Sequence, residues 1–155
     1  MTKEELMRRA IALASDNVRN GGGPFAALIV KDGEIVAEGV NRVTASNDPT
    51  AHAEVSAIRA ACSKLSTFDL HGYEIYTSCE PCPMCLGAIY WAHLDHIYYG
   101  NNKDDAAAIG FDDAFIYEEL ALQPQYRKTP VEMLLRSEAL STFRLWREKE
   151  DKVEY

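Results

Sequence analysis

Two short stretches constrain this chain more than anything else in it. One is Pro81-Cys82-Pro83-Met84-Cys85 and the other is His52-Ala53-Glu54. Zinc favours thiolate and imidazole, and a catalytic zinc site takes three protein ligands and leaves a fourth tetrahedral position for water. His52, Cys82 and Cys85 make three, so a fold that brings the two stretches together builds a site for one Zn2+. Cys82 and Cys85 are three apart and share a face if they are helical. The apolar run from Leu86 to Ala92 predicts that helix, and Pro83 suits its first turn, where no intrahelical N–H is needed. Both thiols then lie near a helix N-terminus, whose partial positive charge favours thiolate.

His52 and Glu54 are two apart and would leave a regular helix on different flanks. Pro49-Thr50 reads as a helix start, however, and Cβ atoms lean towards the N-terminus, so in a first turn both side chains lean over the open end. Two helix N-termini facing each other across one zinc ion are therefore expected. Glu54 is surplus to the ligand set, and a carboxylate beside a three-ligand metal suits proton transfer. Two other readings use the same residues. Cys-x-x-Cys can be a redox pair, but a redox βαβ unit does not call for His-x-Glu upstream. A structural zinc site needs a fourth ligand, for which Cys79 is the near candidate; Cys79 also suits a small buried residue at a strand end, and Cys62 a core position.

Four cysteines, three of them between positions 79 and 85, suit metal binding in a reducing cytoplasm better than a disulfide framework. No signal peptide is read at the N-terminus, and the longest apolar runs, such as Phe25 to Val30, are too short to span a bilayer. A cytoplasmic protein without a membrane partner is expected. The formal net charge of −8 and the lack of a basic stripe argue for a small substrate and against nucleic acid. The 155 residues suffice for one domain with a substantial core, and no repeat or linker divides them.

In chain order, Thr2 and Glu5 form a capping box for a helix with apolar positions from Leu6 to Val18, ended by Gly21-Gly22-Gly23. Phe25 to Val30 reads as a buried strand, Asp32-Gly33 as a hairpin turn and Ile35 to Val40 as the returning strand. A helix is expected from about Thr50 to Lys64, a strand over Tyr73 to Thr77, a helix from about Cys82 to His93 and a strand over Ile97 to Tyr99. That strand–helix–strand unit implies a parallel crossover with the site at the carboxyl ends of strands. Asn101 to Asp105 reads as a polar loop and Ala106 to Ile109 as a helical turn. Asp112-Asp113 caps a helix through Leu122, Val131 to Leu135 reads as a last, edge-like strand, and Ser137 caps a final helix.

Taken together, these stretches resemble the cytidine deaminase superfamily, and within it the branch of small bacterial guanine deaminases. The resemblance rests on Asn47 through Val55, Thr77 through Ala92, Gly110-Phe111-Asp112-Asp113 and the terminal Glu154-Tyr155. It implies an α/β fold, a three-layer α/β/α sandwich with a five-stranded mixed sheet, in one deaminase domain over residues 1–155. It also implies a homodimer in which a C-terminal segment of about 110–155 is exchanged between subunits. On that carry-over, His52, Cys82 and Cys85 hold zinc and Glu54 moves protons. Phe25 stacks on the base, Asn41 hydrogen-bonds it and Ala53 offers a backbone contact, while Asp113 and Tyr155 complete the partner's pocket. The implied activity is hydrolytic deamination of guanine to xanthine and ammonia in purine catabolism or salvage. Bland roles exist for the same residues: core for Phe25, a turn for Asn41, a helix cap for Asp113 and a frayed end for Tyr155. Guanosine deamination, deamination of cytosine, adenosine or an aminotriazine, and a non-catalytic zinc module remain as alternatives. A Tyr155 folded over the pocket favours a free base over a nucleoside.

Overall fold

In a computed structural model that describes residues 1–155, the capping box forms as its sequence predicts. Thr2 Oγ1 accepts from the Glu5 amide at 3.1 Å, and Glu5 Oε2 accepts from the Thr2 amide at 2.8 Å, which satisfies two N–H groups that the helix start leaves without intrahelical partners. Helix α1 (Lys3–Arg19) follows and buries Leu6, Ala10 and Ala14. Strand β1 (Ala26–Lys31) turns at Asp32-Gly33 into β2 (Glu34–Val40), and a short helix α2 (Val43–Ser46), absent from the sequence expectation, leads to α3 (Ala53–Leu65). Strand β3 (Glu74–Cys79), helix α4 (Pro83–Trp91) and strand β4 (His96–Asn101) form the crossover. Helix α5 (Lys103–Ala108) takes in most of the expected helical turn and starts inside the expected polar loop, because Asn102 and Asp105 make a second capping box.

The sheet order is β2-β1-β3-β4. The first two pairings are antiparallel, and β3 and β4 run parallel, as a helical crossover requires. Alternating side chains of the central strands feed two cores. Ala27, Ile29 and Ile75 pack with Ala53, Ala57 and Ala61 of α3 and Ile89 of α4. Leu28, Val30 and Tyr76 pack with Leu6 and Ala10 of α1. With both faces covered, β1 reads as a continuous apolar run, the pattern the sequence shows at 25–30, and β3 is buried from Ile75 to Cys79 although Thr77 and Ser78 are polar.

The sheet has four strands, not the expected five. Val131 to Leu135 forms no strand. Pro130 offers no N–H at its start, and Leu135 turns the chain with a φ of 53°, outside any extended conformation.

The chain divides into two compact units, Met1–Ala114 and Phe115–Tyr155. The first contains the sheet and both cores. The second contains most of α6 (Ala114–Ala121), a 3-10 turn (Pro124–Tyr126) and α7 (Arg136–Glu148), and none of these three elements buries a residue. Within it, Arg127 Nε donates to the Glu119 carbonyl at 3.0 Å and the Lys128 amide donates to Glu119 Oε2 at 2.9 Å, tying the turn to α6. Helix α7 begins at Arg136 behind left-handed Leu135, so Ser137 lies inside it and is not its cap.

Candidate active site

Helix α3 starts later than its sequence predicts, and this resolves the awkward spacing of His52 and Glu54. Asp48 Oδ1 accepts from both the amide and the hydroxyl of Thr50, at 2.8 and 2.7 Å, so Thr50 stays in a turn before the helix. His52 then becomes the N-cap, with φ −69° and ψ 157°, and Glu54 falls in the first turn. An N-cap residue is half outside the helix and points its side chain along a different path from those that follow. Cys82 is likewise the extended N-cap of α4, with Pro83 at its start and Cys85 in its first turn. Neither His52 nor Cys82 spends its side chain on capping.

The two helix starts meet as expected. His52 Nδ1 lies 3.4 Å from the sulfur of Cys82 and 3.4 Å from that of Cys85. These three residues form a group that could hold a metal ion. A tetrahedral zinc with Zn–S of about 2.3 Å and Zn–N of about 2.0 Å sets neighbouring nitrogen and sulfur donors about 3.5 Å apart. The spacing fits that ion, and a soft N/S₂ set does not suit magnesium or calcium, which take oxygen.

Glu54 stands beside this group with 5% of its surface exposed. Thr77, fully buried on β3, has its hydroxyl 3.0 Å from Glu54 Oε1 and 3.0 Å from the Cys79 carbonyl. A hydroxyl carries one proton, so Thr77 donates to one of these oxygens at a time. Burial pushes the Glu54 carboxyl above the usual range, and hydrogen bonds from Cys85 and Thr77 pull it back. The result is a carboxyl poised to gain and lose a proton.

The thiols differ sharply from one another in the metal-free protein. Cys82 is held down to about 4, chiefly by the Cys85 thiol, with His52 adding to the effect. Cys85 is pushed up by its pairing with Cys82 and by burial, so it keeps the proton that it donates. Burial, with the Glu54 charge, pushes Cys79 up to about 11. Thiolate is the reactive form. Zinc-stripped protein treated with iodoacetamide at about pH 6 is therefore expected to be modified at Cys82 and spared at Cys79, with zinc restoring protection. Peptide mass mapping checks this, and equal labelling of the two would contradict it.

The other expected residues divide. Ala53 is fully buried at the start of α3. Phe25 and Asn41 are neighbours, the Asn41 amide donating to the Phe25 carbonyl at 3.1 Å. The Phe25 ring meets Phe111 edge-on, with centroids 4.9 Å apart. Asp113 acts electrostatically on Cys82 and His52 of its own chain, and its buried Oδ1 has no hydrogen-bond partner. Burial pushes this carboxyl up as well, with the charges of Cys82 and Glu80 adding. Tyr155 belongs to the second unit and is 77% exposed.

Sequence reasoning passed over Thr77 and Gly39. The sequence marks Thr77 only as a hydroxyl in the strand that leads to the cysteine turn, and its full burial comes from the fold. Gly39 was legible as a glycine inside a strand, which marks a close backbone approach. A Cβ there would stand 2.3 Å from the Ala57 nitrogen and 2.4 Å from the Ala53 oxygen, so the missing side chain lets the start of α3 lie against β2.

A mixed sheet that delivers His-x-Glu and Cys-x-x-Cys to two facing helix starts defines a class of zinc-dependent deaminases. Residues 1–101 match the cytidine and deoxycytidylate deaminase zinc-binding region, and the chain belongs to that family. It is 53% identical to a guanine deaminase of Bacillus subtilis (strain 168), over all of both chains. It superposes on an X-ray structure of guanine deaminase from Bacillus subtilis with a TM-score of 0.97 and 52% identity, covering 100% of this chain and 99% of that one. A tRNA-specific adenosine deaminase of Haemophilus influenzae is 32% identical, over 97% of this chain and 88% of its own.

Proposed function

We propose that this protein hydrolyses guanine to xanthine and ammonia. The observation that carries the substrate is identity of 53% along the whole chain with a guanine deaminase, and the chemistry rests on Glu54 buried beside His52, Cys82 and Cys85. These three hold the ion. Bound zinc would supply Lewis acidity, which lowers the pKa of a water to about 7 and makes it a nucleophile near neutral pH. Glu54 takes the proton of the attacking water and delivers it to the ring nitrogen beside the amine-bearing carbon. It then takes the remaining hydroxyl proton of the oxygen added to that carbon and passes it to the departing ammonia, which leaves the carbonyl of xanthine. Thr77 keeps the carboxylate aimed through both transfers.

Phe25 stacks on the base, Asn41 and the Ala53 backbone hydrogen-bond its edge, and the unpartnered Asp113 Oδ1 accepts from one of its N–H groups. A buried acceptor matched to a substrate donor discriminates more strongly than apolar fit. Helix α1 on one face of the sheet, and α3 and α4 on the other, support a three-layer α/β/α domain.

The whole chain acts as one deaminase domain in a homodimer that exchanges its C-terminal segment. Support comes from the second unit, where Met133 (76%), Leu134 (72%) and Phe143 (70%) are exposed and no helix buries a residue. If exchange begins at the unit boundary, Asp113 serves its own pocket and Tyr155 closes the partner's. The free cysteines suit a reducing cytoplasm, and no helix is long and apolar enough to cross a membrane.

The deciding experiment is ammonia release by zinc-loaded protein offered guanine and guanosine side by side. Guanine alone is expected to turn over, and removal of Tyr155 is expected to lower that turnover. Release from guanosine would move the assignment to nucleosides and sink the closing role of Tyr155.

A further inference from the structure

We propose that Asn17, on α1 and outside the metal group, is a positioning residue that ties the two substrate loops together. This rests on the reading of Phe25 and Asn41 as base-binding residues. The Asn17 side-chain nitrogen donates to the Gly23 carbonyl at 2.7 Å and to the Asn41 carbonyl at 3.0 Å. A carboxamide nitrogen has two hydrogens, and both are used. One bond holds the turn before β1, and the other holds the chain as it leaves β2.

Each carbonyl lies within a bond or two of a base-binding side chain. The Gly23 carbonyl also accepts from the Phe25 amide at 2.9 Å, and the Asn41 amide donates to the Phe25 carbonyl at 3.1 Å. Asn41 Oδ1 accepts from the Val43 amide at 3.2 Å, which sets the orientation of the Asn41 carboxamide. Asn17 therefore sits at the head of a network that places the Phe25 ring and the Asn41 side chain relative to each other.

The glycine run is shaped around this clamp. Gly21 turns the chain at φ +90°, but Gly22 and Gly23 are not in the left-handed region. A Cβ at Gly22 would lie 2.5 Å from the Asn17 side-chain nitrogen. A Cβ at Gly23 would press on the Asn41 side chain at 3.2 Å and the Phe25 ring at 3.4 Å. These two glycines leave room for Asn17, Asn41 and Phe25. The helix has no need of Asn17 itself: asparagine is a poor helix former, and the C-cap is Asn20.

The test compares Asn17→Leu, which keeps the branched shape and removes the donors, with Gly22→Ala, which displaces the amide from outside. Asp16→Ala on the same turn of α1 is the control. KM and kcat for guanine, zinc content and hydrogen exchange at the Asn41 amide are measured on each zinc-loaded protein. Both variants are expected to raise KM roughly tenfold, with kcat changed by less than about threefold. Zinc content is expected to stay the same and the Asn41 amide to exchange faster. A purely structural Asn17 would lower melting temperature and leave KM and that exchange rate alone, which would overturn the proposal. An equal rise in KM from Asp16→Ala would overturn it too. If the wild-type protein fails to turn over guanine, the substrate reading falls, and the Asn41 exchange rates in the two variants still decide the clamp.

Discussion

Glu54→Gln is expected to abolish guanine turnover and leave zinc bound. Glutamine has nearly the volume of glutamate, and its carbonyl can still accept from the Thr77 hydroxyl that lies 3.0 Å from Glu54 Oε1. What it cannot do is take a proton from water and return it. General acid–base transfer is worth roughly 10²–10⁴-fold, and Glu54 is asked to make more than one transfer per turnover, so the loss should reach at least the upper part of that range. Stability should not fall with activity. Burial pushes this carboxyl up because an ionised group with 5% exposure is poorly solvated, and a neutral amide avoids that cost. The measurement is kcat beside zinc stoichiometry and melting temperature on the same preparation. A variant with normal zinc and near-normal turnover would remove Glu54 from the mechanism, and a variant that loses its zinc would show that the carboxylate supports the metal site.

Gly39→Ala is expected to damage stability and metal binding together. Its methyl group would meet the Ala57 nitrogen at 2.3 Å and the Ala53 oxygen at 2.4 Å, both backbone atoms of α3. No rotamer change relieves a clash with a helix backbone, so β2 and α3 must separate. Overpacking of this kind typically costs about 1–3 kcal/mol, and two backbone contacts this short place the substitution at the upper end. The functional effect comes from where the clash falls. Ala53 lies between His52 and Glu54, so a shift of the α3 start moves a zinc ligand away from Cys82 and Cys85 and moves Glu54 away from Thr77. Weaker zinc retention against a chelator and a lower melting temperature are both expected. Loss of stability with unchanged zinc affinity would show that the strand and helix part without moving the site. Ala→Gly changes elsewhere on α3 would lack this pairing of effects.

The metal group was legible because its chemistry is carried by rare residue types at short spacings. Cys82 and Cys85 are three apart, Pro83 marks the helix start between them, and no ordinary core position asks for His-x-Glu beside such a pair. The capping box at Thr2 and Glu5, the Asp32-Gly33 hairpin and the parallel β3–α4–β4 crossover were legible for the same reason: each is a local or nearest-neighbour effect. The start of α3 was misread by three residues, because Asp48 captures Thr50 in a turn and helix periodicity does not register that competition. Helix α5 was expected only as a turn at Ala106 to Ile109, and its start at Lys103 was not read because Asn102 and Asp105 look like loop residues until their reciprocal capping bonds are seen.

The expected fifth strand failed for a different reason. Val131 to Leu135 has the apolar content of a strand, but a strand exists only through its partner, and this segment ends at left-handed Leu135. The amino-acid sequence by itself determined the metal group, the carboxylate two residues after its histidine and most of the helices and strands that bear them, since these depend on residue type and on neighbours a few positions away. Only the tertiary structure decided that β2 passes close enough to α3 to require Gly39, that Thr77 aims Glu54, and that Asn17 holds the Gly23 and Asn41 carbonyls at once. Each of those contacts joins residues six to twenty-four positions apart, and the packing of the sheet between its helices sets their distance.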